Sequence, residues 1–213
     1  MKRTILSTAL SLLLVTVFTS NAFSQFQGTI RFTRTVGTIT TTYKYFVKKD
    51  RVRIEELDED GKIQGVQLVN STENTVVALS PERKLYMDAP NKRTPSTVEA
   101  KVEKTKETKE IAGQKCTKII VSSEAEETEI AYWMADGEYE FFVPLLKTLN
   151  RKDKPATYYM QIEGVEKHFP MVGEENKKDG TFVSKLEVTE IKEGVLVDAL
   201  FEVPAGYEKF ERN

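Results

Sequence analysis

The stretch TITTTYKYFVKKDRVRIEEL, residues 38–57, decides the fold class of this 213-residue chain. Ile39, Thr41, Tyr43, Tyr45 and Val47 fall on alternate positions, and Val52 and Ile54 do so beyond a Lys49-Asp50 turn, flanked by Arg51, Arg53 and Glu55. A period of two belongs to strands, whose successive side chains point to opposite faces; β-branched and aromatic residues suit such a pleated surface with one wet side. Two such runs joined by a short polar turn make an antiparallel hairpin.

Outward from this hairpin the pattern repeats at residues 26–34, 65–69, 75–79 and 84–87, punctuated by Val36-Gly37, Asp60-Gly61, Glu73-Asn74 and Pro81-Glu82. The first half therefore reads as a meander. Residues 88–97 hold Pro90 and Pro95 and read as a loop inside the sheet, because strand patterning resumes beyond it. Residues 101–110 are almost all Lys, Glu and Thr, and the alternation of charge with Thr predicts an edge ribbon with little to bury. Another hairpin is expected from 115–122 and 128–134, with Ile130, Tyr132 and Met134 on one side and Ala131 and Trp133 on the other.

Residues 137–149 break the period. Tyr139, Phe142, Val143, Leu146 and Leu149 recur at helical spacing, and Phe141 and Leu145 make the opposite side apolar too, so the predicted helix is hydrophobic over most of its girth. Pro144 must either start this helix or kink it. Strand-like patterning returns at 156–162, 168–172 and 181–191. The expected class is mainly β (α+β): a curved antiparallel sheet or half-open barrel of about ten strands wrapped over one prominent apolar helix, with residues 25–213 forming a single domain.

At the N-terminus, Lys2 and Arg3 precede an apolar run at 9–18 and the small residues Ala22 and Ser24. This is the layout of a cleavable export signal over residues 1–24, cut after Ser24. The run is too interrupted for a membrane span, which needs about 20 apolar residues, and no cysteine stands at the cut to carry a lipid. A soluble mature chain in the periplasm or outside the cell is expected. Lys and Arg number 31 against 33 Asp and Glu, a formal net charge of −2 with both signs interspersed; this points away from a nucleic-acid partner. A lone cysteine, Cys116, forbids an internal disulfide, so the apolar core must hold the fold.

Catalytic material is sparse. His168 and Cys116 are the only residues of their kinds, and nothing in their local sequence builds a nucleophilic pair. Two such ligands are too few for zinc. Glu56, Asp58, Asp60 and Gly61 read as an acidic hairpin tip rather than a calcium loop, because Gln67 stands where the closing glutamate belongs. The expectation is a protein without cofactor that is not an enzyme. Tyr132, Trp133, Phe141, Phe142, Leu145 and Leu146 gather around the predicted helix. Either they fill a core, or a sheet too wide for one helix leaves an apolar cavity that these six residues line for a ligand.

Several short motifs occur in a telling order. They are Phe26-x-Gly28-x-Ile30, then Tyr45 leading into Arg51-Val52-Arg53-Ile54-Glu55, then Pro81 with Lys84 and Tyr86. Ile111-Ala112-Gly113-x-x-Cys116-x-x-Ile119, Glu129 with Tyr132-Trp133, Phe169-Pro170 and Phe201-x-Val203-Pro204-x-Gly206-Tyr207 follow. Together they resemble an uncharacterised domain-of-unknown-function family of exported proteins common in Bacteroidota, similar to the LolA-like lipoprotein-carrier superfamily. The resemblance implies a half-open antiparallel barrel over helices, with an apolar concave face for acyl chains. It implies a non-enzymatic envelope protein whose partner is a lipid or lipoprotein acyl chain. The alternative is an envelope protein–protein interaction module with a filled core and no ligand.

Overall fold

A computed structural model of the chain describes residues 25–90 and 98–211; the expected signal segment, its cut after Ser24 and residues 91–97 of the expected loop lie outside the described residues. Strands β1 (Gln27–Val36), β2 (Ile39–Lys48), β3 (Arg51–Leu57), β4 (Ile63–Asn70), β5 (Thr75–Ser80) and β6 (Leu85–Asp88) form one run. After the connection come β7 (Lys101–Ile111), β8 (Gln114–Ser123) and β9 (Thr128–Asp136), then helices α1 (Phe142–Leu149) and α2 (Lys154–Tyr159). The chain closes with β10 (His168–Lys177), β11 (Phe182–Glu193), a 3₁₀ turn at Asp198–Phe201 and β12 (Glu208–Lys209).

All twelve described strands join one open sheet in the order β12-β6-β5-β4-β3-β2-β1-β11-β10-β9-β8-β7. Two meanders, β1 to β6 and β7 to β11, are thus welded side by side where β1 pairs with β11, from Gly28 opposite Glu193 to Val36 opposite Ser184. Gly28 has a φ of 154°, and a Cβ there would stand 2.1 Å from the Lys192 carbonyl oxygen. Only glycine lets the two backbones meet so closely. Register shifts interrupt the ladders at Arg31/Phe32, Glu56/Leu57, Pro170/Val172 and Glu175/Asn176. Each extra residue strengthens local twist and bends the sheet. Pro170 sits where β10 pairs with β9 alone, since pairing to β11 begins only at Val172, and the missing N–H costs no ladder bond on that side.

Curvature brings the two halves face to face: α1 packs on β4 and β5, and α2 on β10. One apolar cluster runs from Phe26, Ile30 and Val47 through Val121 and Ile130 to Leu145, Tyr159 and Phe169. The twelve-stranded open sheet agrees with the expected curved sheet, and 101–110 is the expected ribbon, the outermost strand β7. Its charged side chains guard an exposed edge.

Two expectations are corrected. The predicted helix over 137–149 is α-helical only from Phe142, and Pro144 stands in its first turn, where no backbone donor is needed. Residues 156–162, expected as strand, belong instead to α2 and the turn after it. Asp153 accounts for this: its Oδ1 accepts from the Ala156 amide at 3.1 Å, an N-cap that starts a helix. Asp60 and Gly61 form the expected hairpin tip between β3 and β4, whereas Glu56 stands inside β3 opposite Tyr43 and Gly65.

The opposite, convex face is strapped by the C-terminal segment. Val203 and Tyr207 cover Val66, Leu68 and Leu79, and Asp198 pairs with both Lys48 and Arg51. Beneath the strap Arg53 Nε meets Glu55 Oε1 at 2.7 Å with both side chains nearly buried, and the Arg53 guanidinium also donates to the Leu200 carbonyl.

Gly28→Ala should destabilise the protein by about 3 kcal/mol in urea unfolding, because a methyl group cannot fit against Lys192 without parting β1 from β11. Arg53→Ala should cost roughly 3 kcal/mol by leaving the Glu55 carboxylate buried and unpaired, whereas the double change Arg53→Met with Glu55→Leu should recover most of that loss. Equal losses in the single and double variants would contradict this account of the pair.

Candidate functional site

Where the concave face of the sheet meets the helices, the packing leaves a cavity of about 270 Å³. Its wall is made by alternate positions of neighbouring strands: Phe32 and Arg34 of β1, Tyr43 and Tyr45 of β2, Ile54 and Glu56 of β3. Cross-strand register places these residues on one face, since Phe32 stands opposite Tyr43, Tyr43 opposite Glu56 and Tyr45 opposite Ile54. In β4 and β5 the wall is continued by Gly65 and Ala78, which have almost no side chain, and by Gln67, which stands opposite Ala78; a Cβ built on Gly65 meets nothing within 4 Å. Small residues here are the immediate reason that space remains.

The roof comes from the helices. Phe142 and Leu146 of α1, one turn apart, face the cavity together with Pro155, Ala156 and Tyr159 of α2. Phe142 is held edge-on by Phe169 at 4.6 Å and by Tyr159 at 5.0 Å between ring centroids. Tyr132 packs edge-on against Tyr159, and its hydroxyl donates to the Pro155 carbonyl at 2.7 Å; the Tyr159 hydroxyl donates to the His168 carbonyl at 2.9 Å. Both of these phenols end on backbone acceptors, which ties α2 to β9 and β10.

Of the six residues expected to line a site, the structure gathers Tyr132, Phe142 and Leu146 at this cavity. Phe141 and Leu145 lie elsewhere in the core; Phe141 packs against Phe26 and Phe169 because the helix turns that side toward β1 and β10. Trp133 points to the other side of β9, where Lys109 sits 4.1 Å from its ring centre. Cys116 and His168 are on β8 and β10 with β9 between them. Burial raises the Cys116 thiol above its ordinary value, and its Sγ donates to the Gln114 carbonyl at 3.4 Å.

Charge enters only at the rim. Arg34, Glu56, Arg151, Asp153 and Lys185 all border the cavity. Burial, and then the Glu56 carboxylate, raises the Tyr43 hydroxyl above its ordinary value, with Arg151 and Arg34 pulling the other way. Burial raises Tyr45 likewise, again opposed by Arg151 and Arg34. The rim was missed in the sequence because Arg34 and Arg151 look like ordinary surface charges until β1 and the α1–α2 connection are brought together. A weak trace existed: Arg34 occupies the inward phase of β1, two residues beyond Phe32.

The buried tyrosines predict a pH response. Burial raises Tyr139 to about 12, and raises Tyr132 well above its ordinary value. In the unfolded chain these groups ionise near pH 10, so the stability they contribute is complete below that pH and is lost as pH rises toward 12. Phenolate absorbance followed against pH should show a late group of tyrosines that ionise together with loss of secondary structure. Ionisation of every tyrosine near pH 10 in a folded protein would contradict the packing described.

Among curated proteins none matches the sequence. Solved structures do: an uncharacterized conserved protein from Thermus thermophilus is 12% identical with a TM-score of 0.52, over 90% of this chain and 93% of that one, and so shares the fold. The MucA/MucB complex of Pseudomonas aeruginosa is 14% identical with a TM-score of 0.48, over 85% of this chain and 56% of that one. A putative outer membrane lipoprotein-sorting protein domain from Vibrio parahaemolyticus is 7% identical with a TM-score of 0.34, over 85% and 90%. The model of a family described as a domain of unknown function, DUF4412, matches residues 26–207, and the chain belongs to that family.

Proposed function

We propose that this protein is a non-enzymatic binder of a hydrophobic ligand, a lipid or a lipoprotein acyl chain, which it holds between the curved sheet and the helix pair. The observation that carries this reading is the unfilled space between Gly65 and Ala78 on one side and Phe142 and Leu146 on the other. A core selected only for stability would fill such a gap, because voids forfeit dispersion and cost free energy in proportion to their volume. At about 270 Å³ the space is slightly smaller than the roughly 300–1,000 Å³ typical of ligand sites.

Tyr132, Phe142 and Leu146 contact the ligand, while Phe141 and Leu145 support them from the core. Each methylene brought into the cavity contributes about 0.8 kcal/mol, and no covalent step is needed. The export signal read at residues 1–24 supports a site of action in the periplasm or outside the cell, with residues 25–213 acting as one domain. Among the described residues no helix is long and apolar enough to cross a membrane.

Gly65→Leu is the sharpest test. Gly65 lies in an ordinary strand conformation beside open space, so the new side chain should enter the cavity with little effect on the melting temperature. In native mass spectrometry the wild-type protein should carry a co-purifying apolar ligand, and the variant should lose it by about tenfold or more. Equal occupancy in the two proteins would refute the cavity as the site, and an empty wild-type protein that captures a protein partner would favour the interaction-module alternative.

A further inference from the structure

The cavity is mostly apolar, with Gln67 and Ser184 among its polar lining, but its rim is not neutral, and the arrangement of rim charges is uneven. Asp153 is already engaged on both oxygens: Oδ1 accepts from the Ala156 amide, and Oδ2 faces Arg151 Nε at 3.8 Å. Lys185 is turned to Glu187 at 2.6 Å. Glu56 stands opposite Tyr43 in the β2–β3 pairing and is engaged by its hydroxyl. Arg34 is different. It borders the cavity from β1, yet among the described residues it forms no ion pair. Arg151, its side chain 39% exposed, makes among the described residues one ion pair, the long contact with Asp153 at 3.8 Å. Both side chains line the cavity together with Tyr43 and Tyr45, and both guanidinium groups oppose the upward push of Glu56 on the Tyr43 hydroxyl and of Asp153 on that of Tyr45.

A guanidinium group beside an apolar cavity and without a carboxylate partner is an incomplete arrangement. Its five N–H donors form a fork matched to a carboxylate or phosphate, and such a bond is strongest where water is partly excluded. We infer that the ligand is a single-chain anionic amphiphile, whose acid head pairs with Arg34 and Arg151 at the rim while its hydrocarbon tail occupies the space under Phe142 and Leu146. This rests on the cavity reading above and narrows it. The volume suits one chain rather than several, and the cation-to-acid balance at the rim favours an anion over a cation.

The test uses four twelve-carbon probes: laurate, dodecyl phosphate, dodecanol and dodecyltrimethylammonium. Each displaces the neutral fluorophore N-phenyl-1-naphthylamine from the purified protein. Laurate or dodecyl phosphate should compete at concentrations about tenfold below dodecanol, the size of one charge-assisted hydrogen bond. Whichever of the two anions competes better identifies the head as a carboxylate or a phosphate monoester. Arg34→Gln should erase the anion advantage and leave dodecanol unchanged, while Arg34→Lys should keep part of it; a matching melting temperature shows that the variants fold. Equal competition by laurate, dodecyl phosphate and dodecanol, stronger competition by dodecyltrimethylammonium, or an undiminished anion advantage in Arg34→Gln would each overturn the inference while leaving the cavity reading intact. Failure of the fluorophore to bind, or its unchanged binding to Gly65→Leu, would overturn the cavity reading and this inference with it.

Discussion

Everything in this molecule depends on the pairing of β1 with β11. Each meander can form from neighbouring hairpins, but neither encloses anything until residues near 30 and near 190 find each other across the intervening chain. Closing a loop of that length costs entropy before any contact repays it. The seam answers this cost with a nine-pair ladder reaching from Gly28 to Val36, with Ile30 fully buried beside it, and with a glycine at the one point where two backbones come too near for a side chain. Phe32 and Tyr45 already meet edge to face at 4.8 Å within the first hairpin, and once the seam closes the concave face becomes continuous from β5 to β9.

That continuity explains why the helices lie where they do. Neither α1, with eight residues, nor α2, with six, is long enough to be stable alone. Both are held by aromatic contacts to the sheet, and α2 also by two phenol hydrogen bonds, from Tyr132 to its Pro155 carbonyl and from its own Tyr159 to the His168 carbonyl of β10. Phe142 is shared between the two systems, touching Tyr159 of α2 and Phe169 of β10. The helices are therefore placed by the sheet, and the distance they keep from Gly65 and Ala78 is set by large rings on one side of the cavity and absent side chains on the other.

Function, on this view, is a property of what the packing omits. The sheet's curvature brings Phe142 and Leu146 above a wall of strand residues, and two glycine- and alanine-sized positions stop the wall from reaching them. The charges at the rim matter for the same reason: a cation that the described residues leave without an ion-pair partner remains available to whatever enters the space. The convex face shows the contrast. There Arg53 is satisfied by Glu55 and Leu200, and the C-terminal strap seals the surface.

Strand alternation was legible in the sequence because it is a local property. Residues 38–57 carried it plainly, and their inward set of Tyr43, Tyr45 and Ile54 is the set that faces the cavity. The charged ribbon at Lys101–Ile111 was equally legible, since an edge strand needs no partner on its outer side. The pair Tyr158 and Tyr159 was not, because a run of a few residues buried all round fits a strand or a helix equally; the Asp153 cap and docking on β10 decided it. Nor could spacing tell which of the six apolar residues near α1 would meet the cavity, because that turns on the rotation of one helix over a sheet assembled from both ends of the chain. By itself the sequence determined the strands, their wet and dry faces and the ordered motifs of the family. Only the tertiary structure decided the seam, the void and the arginine left beside it, since each is made by residues far apart in the chain whose distance depends on how strongly the whole sheet bends.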